Sequence, residues 1–247
     1  MKVLLTGAAG YTGKGIAQVL KENGHWVRGC DVNGGMEHVD EAVTADIADL
    51  DACRGMLAGI EATVLCHMAP NPKGYEAPPL AMDVNVKGTS NLYHAAVEQE
   101  VSRVVLISST SVLFGGVGTA VPGDGPYQYG DVHKMGFYAF TKVLQECVAR
   151  WYWEARKMPT ALLRPSWIVY DGDCVTKYGI AVRQYSSGLI DPRDIGMASV
   201  KALALPDLTI EAFNIGLDDA PFDLTAAHTR LAWRPQYLFK GLPGSPK

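Results

Sequence analysis

Lys2-Val3-Leu4-Leu5-Thr6 running into Gly7-Ala8-Ala9-Gly10-Tyr11-Thr12-Gly13 is the stretch whose reading decides the fold. Its first half is a short apolar run, the pattern of a strand buried on both faces. Its second half places glycines at 7, 10 and 13, where the backbone has to turn tightly and leave room for a ligand. A pyrophosphate can approach such a turn closely, and the N–H groups and dipole at the start of a following helix then hold its charge. Glycines with this spacing also occur in ordinary turns, so the context carries the meaning. Here the context is met: Thr12 to Asn23 puts Ile16, Val19 and Leu20 on one helical face, and Gly24 stops the helix. The segment reads as a nucleotide-binding turn between a first strand and a first helix.

Strand and helix patterns keep alternating downstream. His25 to Asp31, Ala42 to Ala45, Ala62 to Cys66 and Arg103 to Ser108 read as strands, and Leu50 to Leu57 and Asp83 to Glu100 as helices. Phe114 to Gly136 holds seven glycines and two prolines and reads as a loop over the strand ends. A long helix from about Phe137 to Lys157 and a strand at Thr160 to Leu163 follow. Beyond Pro165 the pattern loosens into irregular segments, with a short strand at Phe213 to Ile215 and a helix from Leu224 to Trp233. Repeated strand–helix units predict an α/β fold with a doubly wound parallel sheet, its ligand at the carboxyl ends of the strands. The expected division is a nucleotide-binding core with its catalytic helix over residues 1–165. A small C-terminal substrate-facing part, 166–247, completes the same compact unit.

Three further features point to chemistry. Asp31 closes the second strand 18 positions after Gly13, where a carboxylate accepts hydrogen bonds from ribose hydroxyls and repels a 2′-phosphate. Val32 and Asn33 follow it, with no arginine, which favours NAD over NADP. Tyr138 is the one tyrosine of eleven with a lysine, Lys142, four positions on. That spacing puts phenol and ammonium on one helical face, where the cation is expected to lower the phenol's pKa. Val104 to Ile107 ends in Ser108-Ser109-Thr110-Ser111, a run of hydroxyls at the mouth of a buried strand.

Composition narrows the class. A net charge of −4 gives nucleic acid or an anionic membrane no hold on this chain. No apolar run reaches the roughly 18 to 20 residues a membrane helix needs, and the glycine turn comes before any leader core, so a cytoplasmic location is expected. Cys30, Cys53, Cys66, Cys147 and Cys174 are odd in number and widely spaced. They suggest neither a disulfide framework nor a metal site, and Cys30 and Cys66 sit in apolar strands.

Together these residues resemble the extended short-chain dehydrogenase/reductase family, the NAD-dependent epimerase/dehydratase group, over most of the chain. The likeness runs through Gly7-x-x-Gly10-x-x-Gly13, Asp31, Asp46-Ile47, Asn85-Val86-x-Gly88-Thr89, Ser108-Ser109-Thr110 with Phe114-Gly115, Tyr138-x-x-x-Lys142 and Arg164-Pro165. It implies a Rossmann-type sheet, NAD as cofactor and a homodimer paired through the helix of Tyr138 and the helix around Val86 to Val97. Asp46 and Ile47 would lie by the adenine. Cys66, His67, Met68 and Ala69 would line the cofactor cleft, Asn85 would support the site, and Pro165 would lie near the nicotinamide. The catalytic hydroxyl would be Thr110, with Ser109 and Ser111 as alternatives and Ser166 beside the substrate. The aromatic–glycine pair is Phe114-Gly115 in place of Tyr-Gly, a mild change.

Members that bind nucleotide sugars usually exceed 300 residues (a family property), whereas this length is similar to that of uronate dehydrogenases. The resemblance therefore implies a hydride moved between NAD and a hydroxyl carbon of a sugar or sugar acid, with Tyr138 taking the proton. The alternatives are a nucleotide-sugar epimerase or dehydratase that recycles its NAD, and a non-catalytic NAD-sensing protein. Lys177, Arg183 and Arg193 are candidates to hold an acidic substrate, each also readable as a solvated charge. His133 could reach substrate but reads as a loop histidine, and His67 is expected to matter through its backbone.

Overall fold

The computed structural model describes residues 1–69, 77–114 and 125–246. The first half of the chain alternates regularly: β1 (Lys2–Thr6), α1 (Tyr11–Glu22), β2 (Trp26–Asp31), β3 (Glu41–Thr44), α2 (Leu50–Leu57) and β4 (Ala62–Leu65). Next come α3 (Pro78–Ala81), a π-helical turn (Met82–Lys87), α4 (Gly88–Glu98), β5 (Val104–Ile107) and a 3₁₀ turn (Thr110–Leu113). The second half holds α5 (Phe137–Arg156), β6 (Thr160–Pro165), β7 (Trp167–Ile168), β8 (Leu189–Ile190), α6 (Pro192–Ala204), β9 (Ile210–Ile215) and α7 (Thr225–Thr229).

Seven strands form one sheet in the order β3-β2-β1-β4-β5-β6-β9, and every neighbouring pair is parallel. The order reverses direction between β1 and β4, the switch point at which doubly wound sheets open their ligand crevice. Side chains alternate between two apolar layers, as the pleat requires. Val3, Leu5, Val64, Val105, Ala161 and Leu163 pack toward α1 and α6. Leu4, Leu65, Leu106 and Leu162 pack toward α2, α4 and α5. Both faces are covered, which is why these strands read as continuous apolar runs rather than alternating ones.

The C-terminal third helps to build the core. β9 extends the main sheet beside β6 in register, Thr160 against Ile210 through Pro165 against Ile215. α6, absent from the sequence reading, lies along α1. Its start was legible: Asp191 caps it by accepting a hydrogen bond from Arg193 N at 2.8 Å, and Pro192 takes the first helical position. Only β7 and β8 form a separate, two-stranded sheet. Trp233 and Phe239 of the tail are fully buried, the indole donating to Asp194 O at 3.0 Å.

α1 and α6 approach through glycines. A Cβ on Gly15 would stand 2.6 Å from Pro192 Cβ, and one on Gly196 would stand 2.8 Å from Val19 Cβ. Alanine at position 15 would gain helix propensity but overpack against a rigid proline. We expect Gly15→Ala to lower unfolding free energy by about 1–3 kcal/mol in urea titration; a stabilised variant would contradict this account of the interface.

Candidate active site

A cleft of about 720 Å³ opens over the carboxyl ends of β1, β4, β5 and β6. One end is the glycine turn. Gly7 adopts φ +67°, and a Cβ there would meet Cys66 O at 2.7 Å. A Cβ on Gly13 would stand 2.0 Å from Gly7 O, so the turn closes only with glycine at both places. Gly10 gives α1 no side-chain cap and its first turn carries no acid, which leaves the helix start suited to a bound anion. Asp31 lies beside the turn on the cleft wall and fixes it, Oδ2 accepting from Ala9 N at 3.2 Å and Oδ1 from Asn33 N at 2.9 Å. Tyr11 lines the same end, donating through its hydroxyl to Val175 O at 2.6 Å and accepting from Tyr170 N at 2.9 Å. A glycine cradle, a free helix start and a carboxylate in one groove fit a dinucleotide.

At the other end Ser108, Ser109, Thr110, Ser111, Tyr138, Lys142, Pro165 and Ser166 line the cleft together, with Thr12, Met68 and Ala69 also on its wall. Tyr138 is half-buried, and its phenol lies near the Ser109 hydroxyl. Burial pushes the phenol up to about 12, and the Ser109 contact only partly offsets this. The lysine-driven depression expected from sequence is not the dominant effect. The Lys142 ammonium turns toward the sheet and donates to Ile107 O at 3.0 Å. Burial lowers that ammonium to about 8.

The structure also separates the hydroxyls of the run. Thr110 opens the 3₁₀ turn, is buried, and donates to Pro165 O at 3.3 Å. Ser109, held extended just before that turn, is the hydroxyl at Tyr138. Ser111 and Ser166 each carry a buried Oγ without a partner among the described residues, and both face the cleft.

Four expected cofactor residues stand off the cleft. Asp46 is exposed and caps its own turn, accepting from Ala48 N at 2.8 Å. Ile47 is buried against Gly88, whose missing Cβ makes room for it: a Cβ there would be 2.6 Å from the isoleucine side chain. Asn85 sits in the π-helical turn, accepts from Ala69 N at 2.8 Å and donates to Thr141 Oγ1 at 3.0 Å, tying β4's exit to α5. His67 is buried behind the wall, its ring between Thr6 Oγ1 at 3.1 Å and Thr89 Oγ1 at 2.9 Å, with Gln145 Nε2 at 3.2 Å. These residues hold the site from behind. Of the charged candidates, Lys177 lines the cleft, whereas Arg183 is exposed elsewhere and Arg193 is locked on Asp191 at 2.7 Å and 2.9 Å. His133 is exposed in a shallow apolar depression with Phe137 and Phe140. Gly115 and the rest of 115–124 in the glycine-rich loop lie outside the described residues.

Sequence reasoning missed Trp167, Tyr178 and Thr176 on the cleft wall, and the buried ion pair of Glu146 with Arg164 beneath it. The partners of that pair are 18 positions apart, and no local spacing marked it. Nothing local marked the wall residues. Among the described residues no helix is long and apolar enough to cross a membrane, and no cluster of His, Cys, Asp or Glu could hold a metal.

Comparison with known proteins agrees with this layout. The model of the NAD dependent epimerase/dehydratase family matches residues 3–170. A 3 beta-hydroxysteroid dehydrogenase/Delta 5-->4-isomerase of Mycobacterium tuberculosis is 34% identical over 180 residues, covering 70% of this chain and 48% of its own. The chain thus spans about half the length of the steroid-dehydrogenase relatives it matches. An L-arabinose 1-dehydrogenase (NAD(P)(+)) of Haloferax volcanii is 25% identical over 95% of this chain and 96% of its own. The solved uronate dehydrogenase of Agrobacterium tumefaciens superposes with a TM-score of 0.73 at 23% identity, covering 95% of this chain and 84% of that one, a likeness of fold.

The His67 network makes the fold sensitive to acid. Burial and the Lys142 charge hold the imidazole far below its ordinary 6.5, at about 3, so the folded protein keeps it neutral. Between those values the unfolded chain binds a proton that the folded one refuses, and stability falls as pH drops. Above pH 6.5 the contribution is fully present. The slope of unfolding free energy against pH between 6.5 and 4 is expected to lose about one proton's worth, ~1.4 kcal/mol per pH unit, in His67→Gln. An unchanged slope in the variant would show that the imidazole titrates freely.

Proposed function

Because the chain belongs to the NAD-dependent epimerase/dehydratase family, we propose that it is an oxidoreductase moving a hydride between NAD and a hydroxyl carbon of a sugar or sugar acid. The observation that carries this reading is the meeting of Tyr138, Ser109 and Lys142 at one end of a cleft whose other end is the glycine turn and Asp31. NAD supplies the hydride acceptor; the protein supplies placement and proton handling. Gly7, Gly10 and Gly13 would hold the pyrophosphate and Asp31 the adenosine ribose. Lys142, charged below about 8, would hold the nicotinamide ribose.

The Tyr138 phenol oxygen takes the proton of the reacting hydroxyl. At neutral pH the phenol carries its own proton, the form that donates to a carbonyl in the reductive direction. Oxidation needs the phenolate, which the nearby Ser109 hydroxyl favours. Support for an acidic substrate comes from charge: among the described lining residues the ionisable side chains of fixed sign are Asp31, Lys142 and Lys177. The catalytic end therefore holds two ammonium groups and no carboxylate. Ser111 and Ser166 add hydroxyls with no other partner for a polyol to meet. Three of the relatives are named as a steroid, an arabinose and a uronate dehydrogenase, which supports net oxidation, and a fourth as a UDP-glucose 4-epimerase, which supports the recycling alternative.

Pairing of two copies through α4 and α5 belongs to the same reading, supported by the exposed indole of Trp151 on α5. A monomeric mass in solution would remove that part of it.

The deciding experiment follows NADH formation from NAD with free uronic acids, neutral aldoses and simple alcohols. Turnover on sugar acids is expected, with Tyr138→Phe slower by about 10²-fold or more and Lys177→Met raising KM for the acids alone. Full activity in Tyr138→Phe would sink the mechanism. Silence across the panel, with NAD retained through purification and nucleotide sugars interconverted, would make the chain an epimerase.

A further inference from the structure

Directly under the catalytic end of the cleft lies a charged group that touches no ligand-facing space. Glu146 is fully buried on α5, one helical turn after Lys142. On a helix that spacing sets two side chains about 5–6 Å apart at Cβ. The carboxylate is the meeting point of three elements. Its Oε1 accepts from Ser108 Oγ at 2.5 Å, at the exit of β5, and from Arg164 Nε at 3.0 Å, at the end of β6. Its Oε2 accepts from Arg164 at 2.8 Å. Ser108 follows Ile107, whose carbonyl holds the Lys142 ammonium, and Arg164 precedes Pro165 and Ser166 on the cleft wall.

A buried ion pair is costly to form, and an apolar pair of similar volume would often serve stability as well. Its placement suggests a different service. We propose that Glu146 is a positioning residue of the active site, its carboxylate keeping the Lys142 ammonium charged and fixing the catalytic helix against the ends of β5 and β6.

The other groups facing Lys142 explain why a buried anion is needed. Lys177 approaches from the segment over the cleft and opposes the charge, as does burial itself. Cys66, at the exit of β4, and Glu146 favour it. The cysteine is a weak ally, because burial pushes its thiol up to about 12. His67 behind the wall is neutral at working pH, and Tyr138 on the same helix holds its proton. Among the described residues Glu146 is therefore the standing negative charge on the lysine's inner side. Arg164 shares that carboxylate, and Arg150 reaches it only at 3.9 Å while stacking on Tyr129 at 4.4 Å. The arrangement sets how far the lysine's charge survives into alkaline pH.

The inference rests on Lys142 belonging to the site, but its test reads the lysine's own titration and needs no turnover. In protein carrying ¹³C,¹⁵N-lysine, the side-chain signal missing from Lys142→Met identifies Lys142. Its midpoint is expected near 8 in the native chain. In Glu146→Gln it should fall by about one pH unit or more, the scale of one carboxylate acting across a helical turn at an effective dielectric near 20. Should Glu146→Gln fail to fold because Arg164 is left unpaired, the double variant Glu146→Met with Arg164→Met removes both charges in a form that buried pairs tolerate. Its Lys142 midpoint should also lie below the native one. A midpoint unchanged or raised in either folded variant would overturn the proposal and reduce Glu146 to a strut. Failure of the oxidoreductase reading would appear separately, as a normal midpoint shift with no NADH formed from any substrate.

Discussion

The rest of the structure depends on how closely the first turn approaches the strand beside it. Gly13 packs its Cα against Gly7 O, and Gly7 lies against the Cys66 carbonyl, where any side chain would collide. This contact sets the height at which α1 leaves β1, and with it the depth of the cleft between β1 and β4. It also brings the chain of β4 to the wall, so that Met68 and Ala69 follow on the cleft surface. α6 then seats on α1 through Gly15 and Gly196, which carries the tail and the segment around Tyr170 up to the glycine turn.

Beneath the cleft the protein is polar rather than oily. One network joins Thr6, His67, Thr89 and Gln145, and Asn85 bridges the β4 exit to Thr141. A second joins Ser108, Glu146 and Arg164. Such groups are tolerated in a low-dielectric interior only when they satisfy one another, so each fixes the spacing of the elements it joins. Both networks are anchored on α5, the helix bearing Tyr138 and Lys142. Its rotation and height over the strand ends are held from two sides. The cost of burying polar atoms is offset by fixed placement of the helix they hold.

The far end of the cleft is built differently. Trp167 opens β7 and Tyr178 lies in the irregular chain beyond it, and both remain substantially exposed, at 52% and 43%. Lys177 sits between them in sequence with its ammonium 5.0 Å from the Tyr178 ring. These side chains are held by few neighbours, in contrast to the locked catalytic helix. The cleft thus has one wall packed on the sheet and another that stays open to solvent.

Local pattern was enough for everything repeated along the chain. The alternation of apolar runs with helical spacing gave all seven strands of the main sheet and α1, α2, α4 and α5, because each element must hide an apolar face of its own period. Gly7, Gly13, Asp31, Tyr138 and Lys142 were legible too, since backbone clearance, ribose recognition and one-turn spacing each demand a residue type at a fixed offset. α6 was legible in principle from Asp191-Pro192, but its mixed face hid it. Only the tertiary structure set Thr110 on Pro165 O and left Ser109 near the phenol, because neighbouring hydroxyls are chemically alike and the 3₁₀ turn parts them. It also placed Ile47, His67 and Asn85 off the cleft wall, and made burial the main influence on the Tyr138 phenol. Those outcomes depend on which distant segments pack together and how much water they exclude, and no local pattern encodes either.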